Sequence, residues 1–261
     1  MRQPPLRSPT APWIALGGTV AWTWAWLGAA VLTGRPWLAF PTVLLTVTGL
    51  LGPVIVPSVV IARGAWHEPL LVFWRRCLDP RTLPPRWWVV TTAIVALLVI
   101  GTAALSPTVS LQLGGGPALF LLVGMLAGAA EEPGWRGYGL TALQERMPAL
   151  TAALVVGGFW VAWHLPLFWL EGTYQATLGI GTARFWGFHL ALLAGSPIYA
   201  WLLNASGGVV FSIVWFHAAG NLAREALLAG ADVGVEVAVE ATIAVVLVAI
   251  GWRLLRRPIP R

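Results

Sequence analysis

The chain has no lysine, one cysteine and few charges of either sign. Asp, Glu, Lys and Arg make up 10% of its 261 residues, where a soluble domain carries about 25%. Cys77 stands alone, which excludes an internal disulfide framework and a metal site built from several thiolates. The polar skin that would cover a water-soluble core of this size is also missing. In its place are 58% hydrophobic residues, in uncharged runs long enough to cross roughly 30 Å of hydrocarbon at about 1.5 Å per residue. The expected class is an all-α polytopic membrane protein that forms a single domain over residues 1–261.

The formal charge of +6 comes from sixteen arginines against ten carboxylates. Most of the arginines border apolar runs, the placement of topology signals and not of a nucleic-acid footprint. No nucleic-acid partner is expected; the lipid bilayer is one. A Lys-free chain rich in Ala, Gly, Pro and Arg reads as the product of a GC-rich, bacterial genome. Arg2 and Arg7 precede an apolar stretch too long for a signal peptide, so Pro12–Leu32 reads as a retained spanning helix.

Hydropathy predicts about eight spans: Pro12–Leu32, Trp37–Ile61, Trp87–Leu105, Pro117–Tyr138, Leu150–Leu170, Phe185–Leu203, Val209–Leu228 and Val233–Trp252. Pro41, Pro53, Pro57 and Pro197 are expected to bend two of them. With both termini in the cytoplasm, thirteen arginines, Arg136 and Arg146 among them, collect on that side. Arg35, Arg184 and Arg224 fall on the other. That bias predicts a multi-pass protein of the plasma (inner) membrane with cytoplasmic N- and C-termini.

Ionisable side chains inside spans are functional candidates, because hydrocarbon penalises them. The fourth span carries Glu131, Glu132 and Arg136, the fifth His164 after Trp160 and Trp163, and the seventh His217 and Asn221. Glu132 and Arg136 are four apart and share a helix face, as do His217 and Asn221. Glu131 lies about 100° further round. A carboxylate in a partly dry pocket is a better base near neutral pH. Glu131 can therefore deprotonate a water that His164 holds, while His217 and Asn221 donate to an oxyanion. A serine triad fits less well, since Ser212 lies on another face and no intramembrane acid partners it. Zinc on Glu131, His164 and His217 is an alternative to metal-free attack by water, with the metal-free form preferred and no other cofactor expected. Glu132 with Arg136 also reads as a purely structural pair, and a lone intramembrane histidine as an interhelical hydrogen-bonder. His189 matches no motif and reads as structural.

These clusters resemble the signature of the CPBP family of CAAX proteases and bacteriocin-processing enzymes, also called type II CAAX prenyl endopeptidases. That signature is a glutamate pair with an arginine four residues on, then Phe-x-x-x-His, then His-x-x-x-Asn. Trp160 stands here where the family has Phe. The resemblance covers roughly Val123 to Glu225, within a motif-bearing core of about 117–228. It implies an eight-span fold whose cavity opens toward the cytoplasm and the lipid, with a peptide or protein substrate entering from the membrane or cytoplasm. It also implies an intramembrane endopeptidase with Glu131 as base, His164 as water holder, His217 and Asn221 as oxyanion site, and Glu132, Arg136 and Trp160 in support. A proton-coupled transporter and a non-catalytic immunity or scaffold protein of the same fold stay open as alternatives.

Overall fold

The computed structural model describes residues 8–107, 109, 117–228 and 230–257; Arg2, Arg7 and Arg261 lie outside them. Helix is the regular structure throughout, with no strand among the described residues. Hydrocarbon offers no partner to a backbone N–H or C=O, so a spanning segment must satisfy these groups within itself. In chain order the helices are α1 (Ala11–Leu32), α2 (Thr42–Leu50), α3 (Gly52–Val60), α4 (Leu70–Leu78), α5 (Pro85–Leu105) and α6 (Pro117–Glu132). There follow α7 (Thr141–Gln144), α8 (Ala149–His164), α9 (Tyr174–Leu178), α10 (Ala183–Ala205), α11 (Val210–Leu227), α12 (Val233–Ile250) and α13 (Trp252–Leu255). Among the described residues five helical stretches are long and apolar enough to cross a bilayer, six if α2 and α3 count as one bent span. The two that carry Glu131 and His217 fall short of that criterion because they are the short or polar ones.

The second span starts later than expected, at Thr42, and bends as its prolines imply, breaking near Leu51 into two helices at 46°. Pro53 has no N–H for the Gly49 carbonyl four residues earlier. The hydroxyl of Thr23 on α1 donates to that carbonyl at 2.7 Å, and Trp22 Nε1 donates to the Thr48 carbonyl at 2.8 Å. Side chains of α1 thus take over bonds that the bend gives up. The fourth span also runs on further than expected, from α6 through a wide-turned segment, Pro133–Leu140, into α7. Pro133 removes the donor that a regular turn would need there.

Cross-helix contacts fix the directions. Gly124 lies beside Ala218 and Gly128 beside Val214, so α6 and α11 are antiparallel. Gly187 meets Val233 and Gly195 meets Glu240, so α10 and α12 are parallel. Ser106 Oγ accepts from the Asp232 amide at 2.9 Å, which sets α5 antiparallel to α12. Phe168 packs on Phe185 and Gly157 on Ser196, so α8 and α10 are antiparallel. Consecutive long helices alternate in direction. One end of the bundle carries residues 33–41, 165–182 and the α11–α12 connection. The other carries residues 61–84, 145–148, 206–209 and 251–257, with Trp66 seated on Tyr138 at 4.9 Å.

Glycine sets the spacing of α6 and α11. A Cβ on Gly124 would stand 2.9 Å from the Ala218 carbonyl, and one on Gly128 the same distance from the Val214 carbonyl. This is the small-xxx-small packing that lets two backbones approach in a membrane. Leu122 and Leu126 are exposed. Gly128→Leu is expected to destabilise the protein by about 1–3 kcal/mol through overpacking and to lower the unfolding temperature in detergent. Gly158→Ala has nothing within 4 Å of the new Cβ and serves as the control that leaves that temperature unchanged or raised.

Candidate active site

The Gly124–Gly128 contact brings the end of α6 against the middle of α11, and there the charges are buried. Glu132 is fully inaccessible and Arg136 is 1% exposed. Arg136 Nη1 donates to both carboxylate oxygens of Glu132, at 3.0 and 3.1 Å. The four-residue spacing therefore still pairs them although the helix widens at Pro133. His217 Nδ1 lies 2.7 Å from Glu132 Oε1. A carboxylate accepts, so Nδ1 carries the proton. The guanidinium of Arg136 lies between two aromatic faces, 4.2 Å from the Trp160 ring centroid and 4.0 Å from that of Tyr199, which supplies cation–π attraction from both sides.

Trp160 links this layer to the second carboxylate. Its indole Nε1 donates to Glu131 Oε2 at 2.9 Å. Its backbone carbonyl accepts from His164 Nδ1 at 2.8 Å, which fixes His164, when neutral, as the Nδ1–H tautomer with an acceptor lone pair on Nε2. The His164 ring sits edge-on to Trp163, at 4.7 Å, and to Phe188, at 5.3 Å.

Glu131, Trp160, His164, His217 and Asn221 all line one cavity of about 510 Å³, within the 300–1,000 Å³ usual for ligand sites. Glu131 and His164 also line a second cavity of about 230 Å³, walled by Trp37 and Leu167. Three helices thus bring Glu131, His164, His217 and Asn221 to a common space, while Glu132 and Arg136 stand behind it. Arg136, placed with Glu132 in the fourth span by the sequence and also counted among the cytoplasmic arginines, is a buried member of the site. Ser212 lies apart, bonded to the Val209 carbonyl at 2.7 Å. His189 also lies outside the cluster, stacked on Phe168 at 5.0 Å with Nδ1 on the Phe185 carbonyl.

Among the described residues no three His, Cys, Asp or Glu side chains form a metal-ligating group. His217 and His164 bond through Nδ1 and keep Nε2 open, and no step of the mechanism passes through a metal. Sequence reading missed Tyr199, which gives no motif. Arg224 and Glu236, a pairing the sequence made plausible, lie 3.5 Å apart and line the large cavity together with Glu240.

Residues 113–223 match the family model described as type II CAAX prenyl endopeptidase, Rce1-like. The chain is also 28% identical over 221 residues to CAAX prenyl protease 2 of Methanococcus maripaludis, an alignment covering 77% of this chain and 79% of that protein.

Trp160→Phe keeps a ring against Arg136 and removes only the donor to Glu131. Hydrogen bonds to charged groups contribute about 1.5–3 kcal/mol, so a roughly tenfold to hundredfold fall in peptide cleavage is expected, with folding retained by size-exclusion profile. Glu132→Ala strands the Arg136 charge in the interior. It is expected to cost about 3–5 kcal/mol, read as loss of the folded monodisperse protein.

Proposed function

We propose that the chain is a member of the CPBP family of type II CAAX prenyl endopeptidases, which its similarity to them supports, and that it cleaves its substrates with a water activated by Glu131 and His164. The protein is a membrane-embedded peptidase. The observation that carries the mechanism is the convergence of Glu131, His164, His217 and Asn221 on one cavity from three different helices.

Water lies between the Glu131 carboxylate and His164 Nε2. His164 accepts one of its hydrogens and so orients a lone pair toward the scissile carbonyl carbon. Glu131 takes the other proton as the C–O bond forms. The oxyanion receives hydrogen bonds from Asn221 Nδ2 and His217 Nε2, the latter protonated and offset by the carboxylates of Glu132 and Glu131. Glu131 then returns its proton to the amide nitrogen, the C–N bond breaks and the amine leaves. Glu132 holds His217 by Nδ1, while Arg136 bonds both oxygens of Glu132. A peptide or protein segment reaching the cavity from the bilayer or an aqueous face is the substrate. The name of the archaeal relative makes prenylated CaaX peptides the first to try.

Glu131→Gln and His164→Ala are each expected to abolish cleavage in proteoliposomes. Asn221→Ala is expected to lower kcat by about 10²–10³, the usual effect of losing one oxyanion donor. Full activity in both Glu131→Gln and His164→Ala overturns the mechanism. Comparing membrane peptide ends from cells with wild type and with Glu131→Gln identifies the natural substrate as the end that vanishes.

A further inference from the structure

Four arginine–carboxylate pairs occur among the described residues, and one differs from the rest. Arg136 meets Glu132 at two points, 3.0 and 3.1 Å. Arg81 meets Asp79 at 2.9 and 3.0 Å, and Arg76 meets Glu68 at 2.6 and 3.1 Å. Forked contacts of this kind hold a carboxylate in place. Arg224 approaches Glu236 no closer than 3.5 Å, from Nε to Oε2, and its side chain remains 39% exposed. Neither of its Nη nitrogens has a hydrogen bond among the described residues.

This loosely held guanidinium belongs to the catalytic cavity. Arg224 follows Asn221 by three residues on α11, so the two share a face, about 4.5 Å apart along the helix axis. Both line the cavity, as do Arg184 from the first turn of α10 and Glu236 and Glu240, one turn apart on α12. Glu240 lies against Gly195 of α10. The wall from α5 is apolar, with Val95, Leu98 and Val99. Glu236 shows that a carboxylate can be received at Arg224, and the length of the contact shows that it is not locked there. Arg136 is built to stay paired; Arg224 is built to exchange its partner.

We propose that Arg224 is a specificity residue: it binds a carboxylate of the incoming polypeptide, and Glu236 holds its place until then. An extended chain advances about 3.3 Å per residue, so this carboxylate, whether the chain terminus or an acidic side chain, lies within a few residues of the scissile bond. The role rests on the peptidase reading of the cavity.

The test measures binding apart from cleavage. Full-length Glu131→Gln protein in detergent is equilibrated with a randomised decapeptide library, made once with free terminal carboxylates and once as amides. Retained peptides are counted by mass spectrometry. Retention about tenfold above that of neutral amides is expected, for free acids if the carboxylate is terminal and for amides carrying Asp or Glu if it is a side chain. Adding Arg224→Gln is expected to abolish the preference. Adding Glu236→Gln is expected to strengthen it, because the internal competitor is gone, whereas a purely structural pair would suffer from either change. Arg224→Gln and Glu236→Gln together remove both members of the pair, and keep the comparison if Arg224→Gln alone does not fold; no preference is expected. Equal retention of all three peptide classes, no retention, a preference that survives the loss of Arg224, or one that Glu236→Gln weakens overturns the proposal. Carboxylate-selective binding without cleavage of the retained peptides by the wild type rejects the peptidase reading and leaves the carboxylate site standing.

Discussion

The structure turns on one carboxylate that water cannot reach. Glu132 is wholly buried, and an isolated charge in such surroundings costs far more than a fold of marginal stability can absorb. It persists because Arg136 and His217 both bond to it. The pairing with Arg136 is local, one helical turn away. The pairing with His217 is not: it requires α11 to lie within a hydrogen bond of α6. Arg136 then imposes a requirement of its own, since its guanidinium is desolvated too and takes two aromatic faces, Trp160 from α8 and Tyr199 from α10. From a single buried charge, four helices acquire a fixed relation.

Backbone shape makes that relation possible. Gly124 and Gly128 remove the side chains that would hold α6 away from α11. Pro133 opens the helix just past the two glutamates, and Gly134 lets the widened segment lie against the Pro53 carbonyl of α3. That carbonyl would otherwise bond to residue 57, which is also proline and has no N–H to give. Prolines and glycines that look like helix-breaking noise in an apolar span are therefore spaced to bring charged side chains into contact. A wide-turned insertion beside functional residues is a frequent device in helices.

How much of this was legible depended on whether the property was local to one helix. The spacings Glu132 to Arg136 and His217 to Asn221 are such properties, and they predicted the ion pair and the shared face. The bond from His217 to Glu132 joins residues 85 apart in sequence, and no periodicity encodes it. Trp160 stands where the related pattern carries Phe, which implies only a supporting ring there. Its indole N–H, the one feature Phe lacks, is what reaches Glu131. Tyr199 was invisible, since an aromatic residue in an apolar span is ordinary until a guanidinium lies on it. The Gly-x-x-x-Gly of α6 was present in the sequence as a packing signal, but attention to charge passed over it. The eight apolar runs marked where helices lie. The prolines of the second run implied its bend, but not that Thr23 and Trp22 of α1 take up the carbonyls the bend releases.

Two neighbouring glutamates end in opposite conditions for a geometric reason. A rotation of about 100° per residue turns Glu132 into the α6–α11 seam, where its oxygens are held by Arg136 and His217. The same rotation turns Glu131 onto the boundary of two cavities, where one oxygen accepts from Trp160. A carboxylate bound on all sides is a fixed charge: it can orient a histidine but has no room for a water. A carboxylate anchored at one oxygen and open to a cavity can receive a proton and give it back. Environment divides roles between identical side chains in this way at many acid–base sites. Here the division needs no difference in residue type, only adjacency on a helix whose two sides face a packed interface and a hollow.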